Sequence, residues 1–318
     1  MTRLAVIGAG SFGKNHVRVV RESPRAELRF VVDADLALAQ EFAGQSAAAS
    51  VDYRDVIGQV DAAVVAVPTI LHTEIGCVLL EAGIDLLVEK PIAPSLAEAS
   101  RLIEAAEHNS RILQIGHLER FNPAVIALER AATLPLFFEI HRMSVFTLRS
   151  LDVDVVLDLM IHDLDIVLAL ARAELKDIRA AGISILSPKV DIANVRLEFA
   201  DGCIANLTAS RVSTEKVRKL RLFQPREYIS LDYARQSAAA FKVGGPQGID
   251  FEQWPIETGE PLKLQFDAFL DSMETRNTPK LDGRTARRTL EVALSILDKI
   301  KEHTGVVEQT LSSAGWTP

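Results

Sequence analysis

The stretch VIGAGSFGKNH, residues 6–16, decides the fold. It joins an apolar run to glycines 8, 10 and 13 and then to a helical pattern. A GxGxxG pattern alone is weak, but between a strand and a helix it is the turn that receives a dinucleotide. Gly8 permits the tight turn, Gly10 lets the backbone approach a pyrophosphate, and Gly13 lets the helix pack closely on the strand. Ser11 and Phe12 complete the loop. The helix start offers free N–H groups and the positive end of its dipole to an anion. A second apolar run ends at Asp33, and no Lys or Arg lies between Ala34 and Gln40. A carboxylate there accepts hydrogen bonds from the adenosine ribose and repels a 2′-phosphate, so NAD is expected rather than NADP. The bland alternative is a glycine-rich turn followed by an Asp helix cap.

Outward from this turn, residues 1 to about 120 alternate short apolar runs with helical patterns at Lys14–Glu22, Leu36–Phe42, Thr73–Ala82 and Leu96–Asn109. The runs lack period-two alternation, as strands covered on both faces do. Such alternation predicts βαβ units and a doubly wound parallel sheet, with ligands at the strand ends. Two of those ends are VPTILHTE and IDLLVEKPIA. Pro68, Thr69, His72, Glu89 and Lys90 are therefore expected beside the nicotinamide. An ammonium at Lys90 can stabilise the charge that develops on a substrate oxygen. Glu89 can orient it or contact the ribose. The plain alternative is a solvated Glu-Lys pair before a turn.

After about residue 120 the pattern changes. A helix is expected over Asp154–Ala171, and strands over Phe137–Thr147, Ile178–Leu186, Ala193–Phe199, Cys203–Ser210, Lys216–Phe223 and Tyr228–Tyr233. Helix returns at Leu264–Thr275 and Thr285–Lys301. The expected architecture is a doubly wound domain over 1–120, then a second domain over 121–318 with a mostly antiparallel sheet carrying a helix on one face. In the 154–171 helix, apolar residues nearly encircle the axis, yet Asp154, Asp158, His162 and Asp165 recur at helical spacing. Buried charge needs a polar partner, and a substrate cleft supplies one. His162 is a candidate general base, with Asp158 supporting it. A hydrogen-bonded core histidine and a metal site are the alternatives, and no further ligand-type cluster accompanies the pair.

The chain has 318 residues, a net charge of −8 and 25% charged residues. No global basic footprint points to nucleic acid or an anionic membrane. No apolar run reaches the roughly 18 residues that a membrane helix needs. The two cysteines, Cys77 and Cys203, lie far apart, which suits a reducing cytoplasm. The strand pattern starts almost at the first residue, so no signal peptide is expected.

GAGSFG, EKP, RFNP at 120–123 and DLMIHD, in this order, resemble the Gfo/Idh/MocA superfamily of nicotinamide-dependent oxidoreductases. The resemblance implies a Rossmann domain followed by an α/β domain with an open, mostly antiparallel sheet, and oxidation or reduction of a sugar-type secondary hydroxyl, with Lys90, His162 and Asp158 catalytic. It also implies a homodimer or homotetramer formed through the outer face of the second sheet. Asp152-Val153-Asp154 stands where relatives carry a glycine pair, Met160 replaces a frequent glycine, and Gly116-His117-Leu118-Glu119 precedes RF where many have asparagine. GHLERFNPAV and SLDVDVVLDLMIHDLDIV look most like the branch that oxidises the 3-OH of UDP-N-acetylglucosamine, feeding amino-sugar synthesis for lipid A or surface polysaccharide. His117 is then a cofactor candidate. Arg120, Arg142, Arg149, Asp154 and Arg211 are candidates to meet a nucleotide sugar. The alternatives are a free polyol, diol or bilin-type substrate, or a non-catalytic NAD- or sugar-sensing protein.

Overall fold

The computed structural model describes residues 1–147, 153–244 and 248–315. The chain forms two compact units, Met1–Leu118 with Glu260–Leu290, and Glu119–Gly259 with Glu291–Pro318.

The first unit holds a six-stranded sheet of β1 (Thr2–Ile7), β2 (Ala26–Val32), β3 (Ala48–Ser50), β4 (Ala62–Val65), β5 (Asp85–Glu89) and β6 (Leu113–Gly116). The order is β3-β2-β1-β4-β5-β6, with every pairing parallel. Helices α1 (Gly13–Glu22), α2 (Leu36–Ala43), α3 (His72–Glu81) and α4 (Leu96–His108) alternate with the strands. β4 and β5 are buried throughout, which explains their unbroken apolar runs. β3 is the strand that the apolar pattern does not show, because Ala-Ala-Ser is too short and too weakly apolar to stand out. Strand order reverses between β1 and β4, so the crevice of this sheet lies where their carboxyl ends diverge.

Helix α7 (Pro261–Thr275) returns to this unit. Its Leu262, Phe266, Phe269 and Leu270 share a core with Val17 and Val20 of α1. The expected linear division at residue 120 is therefore replaced by a discontinuous one. The cause is that α7 buries its apolar face in the first core. Asp85 secures the return. Its Oδ1 accepts from the Ile112 backbone at 2.8 Å, and its Oδ2 from Arg276 Nη1 at 2.5 Å.

The second unit holds an eight-stranded sheet of β7 (Phe137–Val145), β8 (Leu175–Ile183), β9 (Ile192–Phe199), β10 (Ile204–Ser213), β11 (Val217–Gln224), β12 (Glu227–Asp232), β13 (Ser237–Val243) and β14 (Ile249–Gln253). The order is β14-β13-β12-β11-β7-β10-β9-β8, antiparallel except where β10 meets β7. Burial alternates along β9 and β10, so one face lies on the core. Helices α5 (Pro123–Ala131) and α6 (Ile161–Leu170) cover that core, joined by Val292, Ala293, Ile296 and Ile300 of α8 (Gly283–Ser313). The sequence pattern omits α5, β13 and β14. α5 starts on the Asn122 cap, which accepts from the Ala124 backbone, with proline at its first turn. β13 opens with Ser-Ala-Ala-Ala, and every residue of β14 is exposed. Among the described residues no helix is long and apolar enough to cross a membrane.

Asp85 is 3% exposed, and a second Arg276 nitrogen, Nη2, reaches its Oδ1 at 3.2 Å. Asp85→Ala leaves the Ile112 N–H without its acceptor and frees the 276 turn. A loss of about 2 kcal/mol is expected, within the range for a broken buried hydrogen-bond cluster. A lowered urea midpoint checks it, and an unchanged midpoint would show that α7 packing alone holds the return.

Candidate functional site

In the first unit a cleft of about 320 Å³ is lined by Gly8, Gly10, Asp33, Tyr53, Val67 and Pro68, among others. Its floor is backbone. Gly8 has φ +91°, and a Cβ there would lie 2.5 Å from the Ala66 carbonyl oxygen. A Cβ on Gly13 would lie 1.9 Å from the Gly8 carbonyl oxygen, so only glycine allows α1 this close. A Cβ on Gly10 would meet nothing within 4 Å. Gly10, Ser11 and Phe12 are exposed, and Phe12 gives α1 no side-chain cap. The helix start is thus open to a pyrophosphate. Asp33 Oδ2 accepts from the Ala9 backbone at 2.7 Å and Oδ1 from the Asp35 backbone at 3.0 Å. A carboxylate has about four lone-pair sites, so acceptor capacity is left for ribose hydroxyls. The residues present therefore fit NAD. Tyr53 and Val51 also line the cleft. They were not anticipated, since they fall at an irregular segment and a short 3₁₀ turn with no motif.

The EKP segment departs from expectation at Glu89. Glu89 is buried, and its Oε1 lies 2.8 Å from Nε2 of His16 on α1. Its Oε2 accepts from the Lys90 backbone at 3.3 Å. A Cβ on Gly116 would come within 2.7 Å of the same carboxylate. Glu89 therefore ties the end of β5 to the glycine helix, and its carboxylate is engaged by protein groups. His72 differs likewise. Its ring is buried, with Nδ1 3.0 Å from the Pro91 carbonyl oxygen and Nε2 2.9 Å from that of Val67. Burial pushes its pKa below the ordinary value against the pull of both carbonyls, so a neutral ring donates to one of them. His72 links the chain after β4 to the chain after β5 and is spent structurally. The Lys90–Pro91 bond is cis, and Lys90 is half-buried. Pro68 lines the cleft and Thr69 follows it in a short 3₁₀ turn. His117 is buried at the end of the first unit.

In the second unit the expected long helix is divided. Val156–Met160 forms a π turn, and α6 follows from Ile161. The stripe of four polar residues is divided with it. Asp158 and His162 are half-buried, whereas Asp165 is buried and paired with Arg120. Asp154 accepts from the Val190 backbone at 2.9 Å. π turns occur frequently at functional sites.

Asp163, beside His162, anchors α6. It takes Nε and Nη2 of the buried Arg142 at 2.7 and 2.8 Å. Glu119 Oε1 takes Nη1 at 2.9 Å, and the guanidinium lies 5.1 Å from the Tyr233 ring centroid. Burial pushes the Glu119 pKa up, but Arg142 and its neighbours outweigh this and hold it below its ordinary value.

Three arginine candidates are thereby engaged by protein groups. Arg120 bonds Glu129 and Asp165, and Arg142 bonds Asp163 and Glu119. Arg211 bonds the Val153 and Val190 carbonyls and pairs with Asp191. Arg149 lies outside the described residues. Arg218 reaches Glu119 only at 3.5 Å, and no motif marked it.

The model of the oxidoreductase family with an NAD-binding Rossmann fold matches residues 2–117, and that of the GFO/IDH/MocA C-terminal domain matches 136–226. UDP-N-acetylglucosamine 3-dehydrogenase of Acidithiobacillus ferrooxidans is 34% identical over 303 residues, 92% of this chain and 96% of that protein. A solved structure of that enzyme superposes with a TM-score of 0.90 at 32% identity, covering 95% of this chain and 98% of that one. Inositol 2-dehydrogenase 1 of Saccharopolyspora erythraea is 26% identical, covering 92% of this chain and 93% of that protein. A levoglucosan dehydrogenase complex with NADH and levoglucosan shares the fold, with a TM-score of 0.83 at 17% identity over 95% of this chain and 98% of that one.

The depressed Glu119 pKa fixes a pH dependence. A carboxyl whose folded pKa lies below its ordinary 4.5 contributes stability above that value and loses it as pH falls through the folded one. Glu119→Gln should cost about 3 kcal/mol near pH 7, where a charge partner of Arg142 is lost. The deficit should shrink near pH 3. Urea midpoints at both pH values check this, and an equal deficit at both would contradict it.

Proposed function

Since the chain belongs to the GFO/IDH/MocA family of NAD-binding oxidoreductases, we propose that it oxidises a sugar secondary hydroxyl to a ketone. The substrate proposed is UDP-N-acetylglucosamine, at its 3-OH, or a related nucleotide sugar. The observation that carries this is the 34% identity to a UDP-N-acetylglucosamine 3-dehydrogenase across 92% of the chain. The cleft at Gly8–Gly13 and Asp33 supports the cofactor half.

NAD, held by the Gly10 backbone, the α1 start and Asp33, supplies the hydride acceptor when bound. Lys90 hydrogen-bonds the reacting oxygen and stabilises its growing negative charge. The His16–Glu89–Lys90 backbone chain fixes the segment that carries it. His162 takes the hydroxyl proton on an imidazole nitrogen. Asp158, four residues earlier across the π turn, supports the imidazolium.

The same reading includes self-association. On the outer face of the second sheet, Phe137, Phe223, Tyr228, Phe241 and Phe251 form a chain of ring contacts with centroids 4.9–5.9 Å apart. Phe251 is 60% exposed. A homodimer or homotetramer would cover these rings. Cys77 and Cys203 are free thiols, which supports a cytoplasmic setting.

Incubation with NAD and a panel of UDP-sugars and free polyols, following reduced nicotinamide, tests the substrate. Turnover of polyols alone would move the assignment to that class, and NAD binding without turnover would favour a sensor. Lys90→Met and His162→Asn should each lower kcat by roughly 10²–10⁴-fold, the usual scale for such groups, with NAD affinity kept. Near-normal turnover in either variant would remove that residue from the mechanism.

A further inference from the structure

We infer that Arg218 anchors the diphosphate of the nucleotide-sugar substrate. The inference deepens the proposal above and rests on it for the identity of the ligand.

Arg218 lies in β11, directly opposite Arg142 of β7 in the antiparallel register. Along β11, Leu220, Leu222 and Gln224 are buried on the face that carries the core, and period two places Arg218 on that same face. Arg142 and Arg218 thus stand side by side at one end of an apolar sheet face.

Their circumstances differ. Arg142 is 2% exposed and has carboxylates on all three of its nitrogens. The Arg218 side chain is a third exposed, and its Nη1 reaches Glu119 Oε1 at 3.5 Å. That oxygen already accepts from Arg142 at 2.9 Å, and Glu119 Oε2 accepts from Asn122. Glu119 is therefore shared, and Arg218 receives the weaker part. A guanidinium has five donors, so among the described residues most of this fork is open to a further acceptor.

Placement identifies that acceptor. Arg218 stands opposite Arg142, whose Nε and Nη2 bond Asp163 of α6, so it lies on the sheet face that meets the helix carrying His162. Burial and the neighbouring Arg142 both push its pKa below the ordinary arginine value. A cation held at this cost gains most from a group of opposite charge. Two non-bridging oxygens of a phosphate match the arginine fork geometrically. The exposed third of the Arg218 side chain is the seat for that anion. Arg120, Arg142 and Arg211 are instead bonded to protein groups, and Arg149 lies outside the described residues.

Arg218→Met and Arg218→Lys provide the test, with thermal melts to confirm folding. KM and kcat are measured with UDP-N-acetylglucosamine, and binding of UDP and of free N-acetylglucosaminuronate by calorimetry. Arg218→Met should weaken UDP binding and raise KM by about 10- to 100-fold, the scale of a charge-assisted fork. The loss should fall on KM more than on kcat, NAD affinity should hold, and Arg218→Lys should recover part of it. UDP binding unchanged in a folded Arg218→Met overturns the inference. So does a loss confined to the uronate, which would make a ring carboxylate the anion. Wild-type protein that binds UDP through Arg218 but fails to oxidise the sugar would leave the anchor standing and remove the reaction assigned above.

Discussion

A guanidinium in the core is expensive, and the second unit is arranged around one. Removing an arginine from water costs several kcal/mol before its partners are counted. Arg142 recovers this through Asp163 on both sides of its fork and Glu119 on the third nitrogen. Each partner is then committed. Asp163 must face the sheet, which sets the rotation of α6 and with it the direction of its neighbour His162. Glu119 must face inward, which fixes the residues leading to the Asn122 cap of α5. The π turn at Val156–Met160 fits this constraint, because an i→i+5 turn shifts the phase between Asp158 and the residues α6 must point at Arg142.

The first unit meets its constraint with backbone rather than side chains. The Gly8 carbonyl lies where a Cβ on residue 13 would be, and the Ala66 carbonyl where one on residue 8 would be. Three backbone segments therefore converge at the carboxyl ends of β1 and β4. Side chains act one layer out. Asp33 holds the Ala9 N–H, Glu89 holds α1 through His16, and His72 holds the chain after β4 and β5. Glu89 and His72 look like cofactor ligands in the sequence because they sit at strand ends. The geometry makes them braces for residues that face the cleft.

What the sequence displays depends on distance along the chain. The glycine turn, Asp33 and the parallel strands are local patterns, and their meaning follows from periodicity and neighbours. The antiparallel class of the second sheet follows likewise from strand-length segments joined by turns, and the family resemblance implies the same. The fate of a charge is not local. Arg120, Arg142, Arg211 and Arg218 are alike in sequence, while Asp163 lies 21 residues from Arg142 and Asp165 lies 45 from Arg120. Which partners each arginine meets is decided by tertiary placement, such as the strand register that sets Arg218 opposite Arg142. The return of α7 escaped for the same reason, since its apolar face fits either core until packing chooses. β13 and β14 escaped because small or exposed residues leave no period to read.

The two ways of building a site have different consequences for change. A cleft made of backbone tolerates few substitutions at its glycines but constrains little else, so one cofactor turn can serve many chains. A substrate seat of the kind inferred at Arg218 would be defined by which side chains occupy the end row of a sheet face. Replacing Arg218 alters charge where Asp158 acts, yet leaves Arg142 with both carboxylates and the core intact. Specificity can therefore drift at the row's outer member while its inner member keeps the fold. Relatives named for inositol and for a nucleotide sugar can share one architecture on this basis, since the function resides in the side chains the scaffold presents.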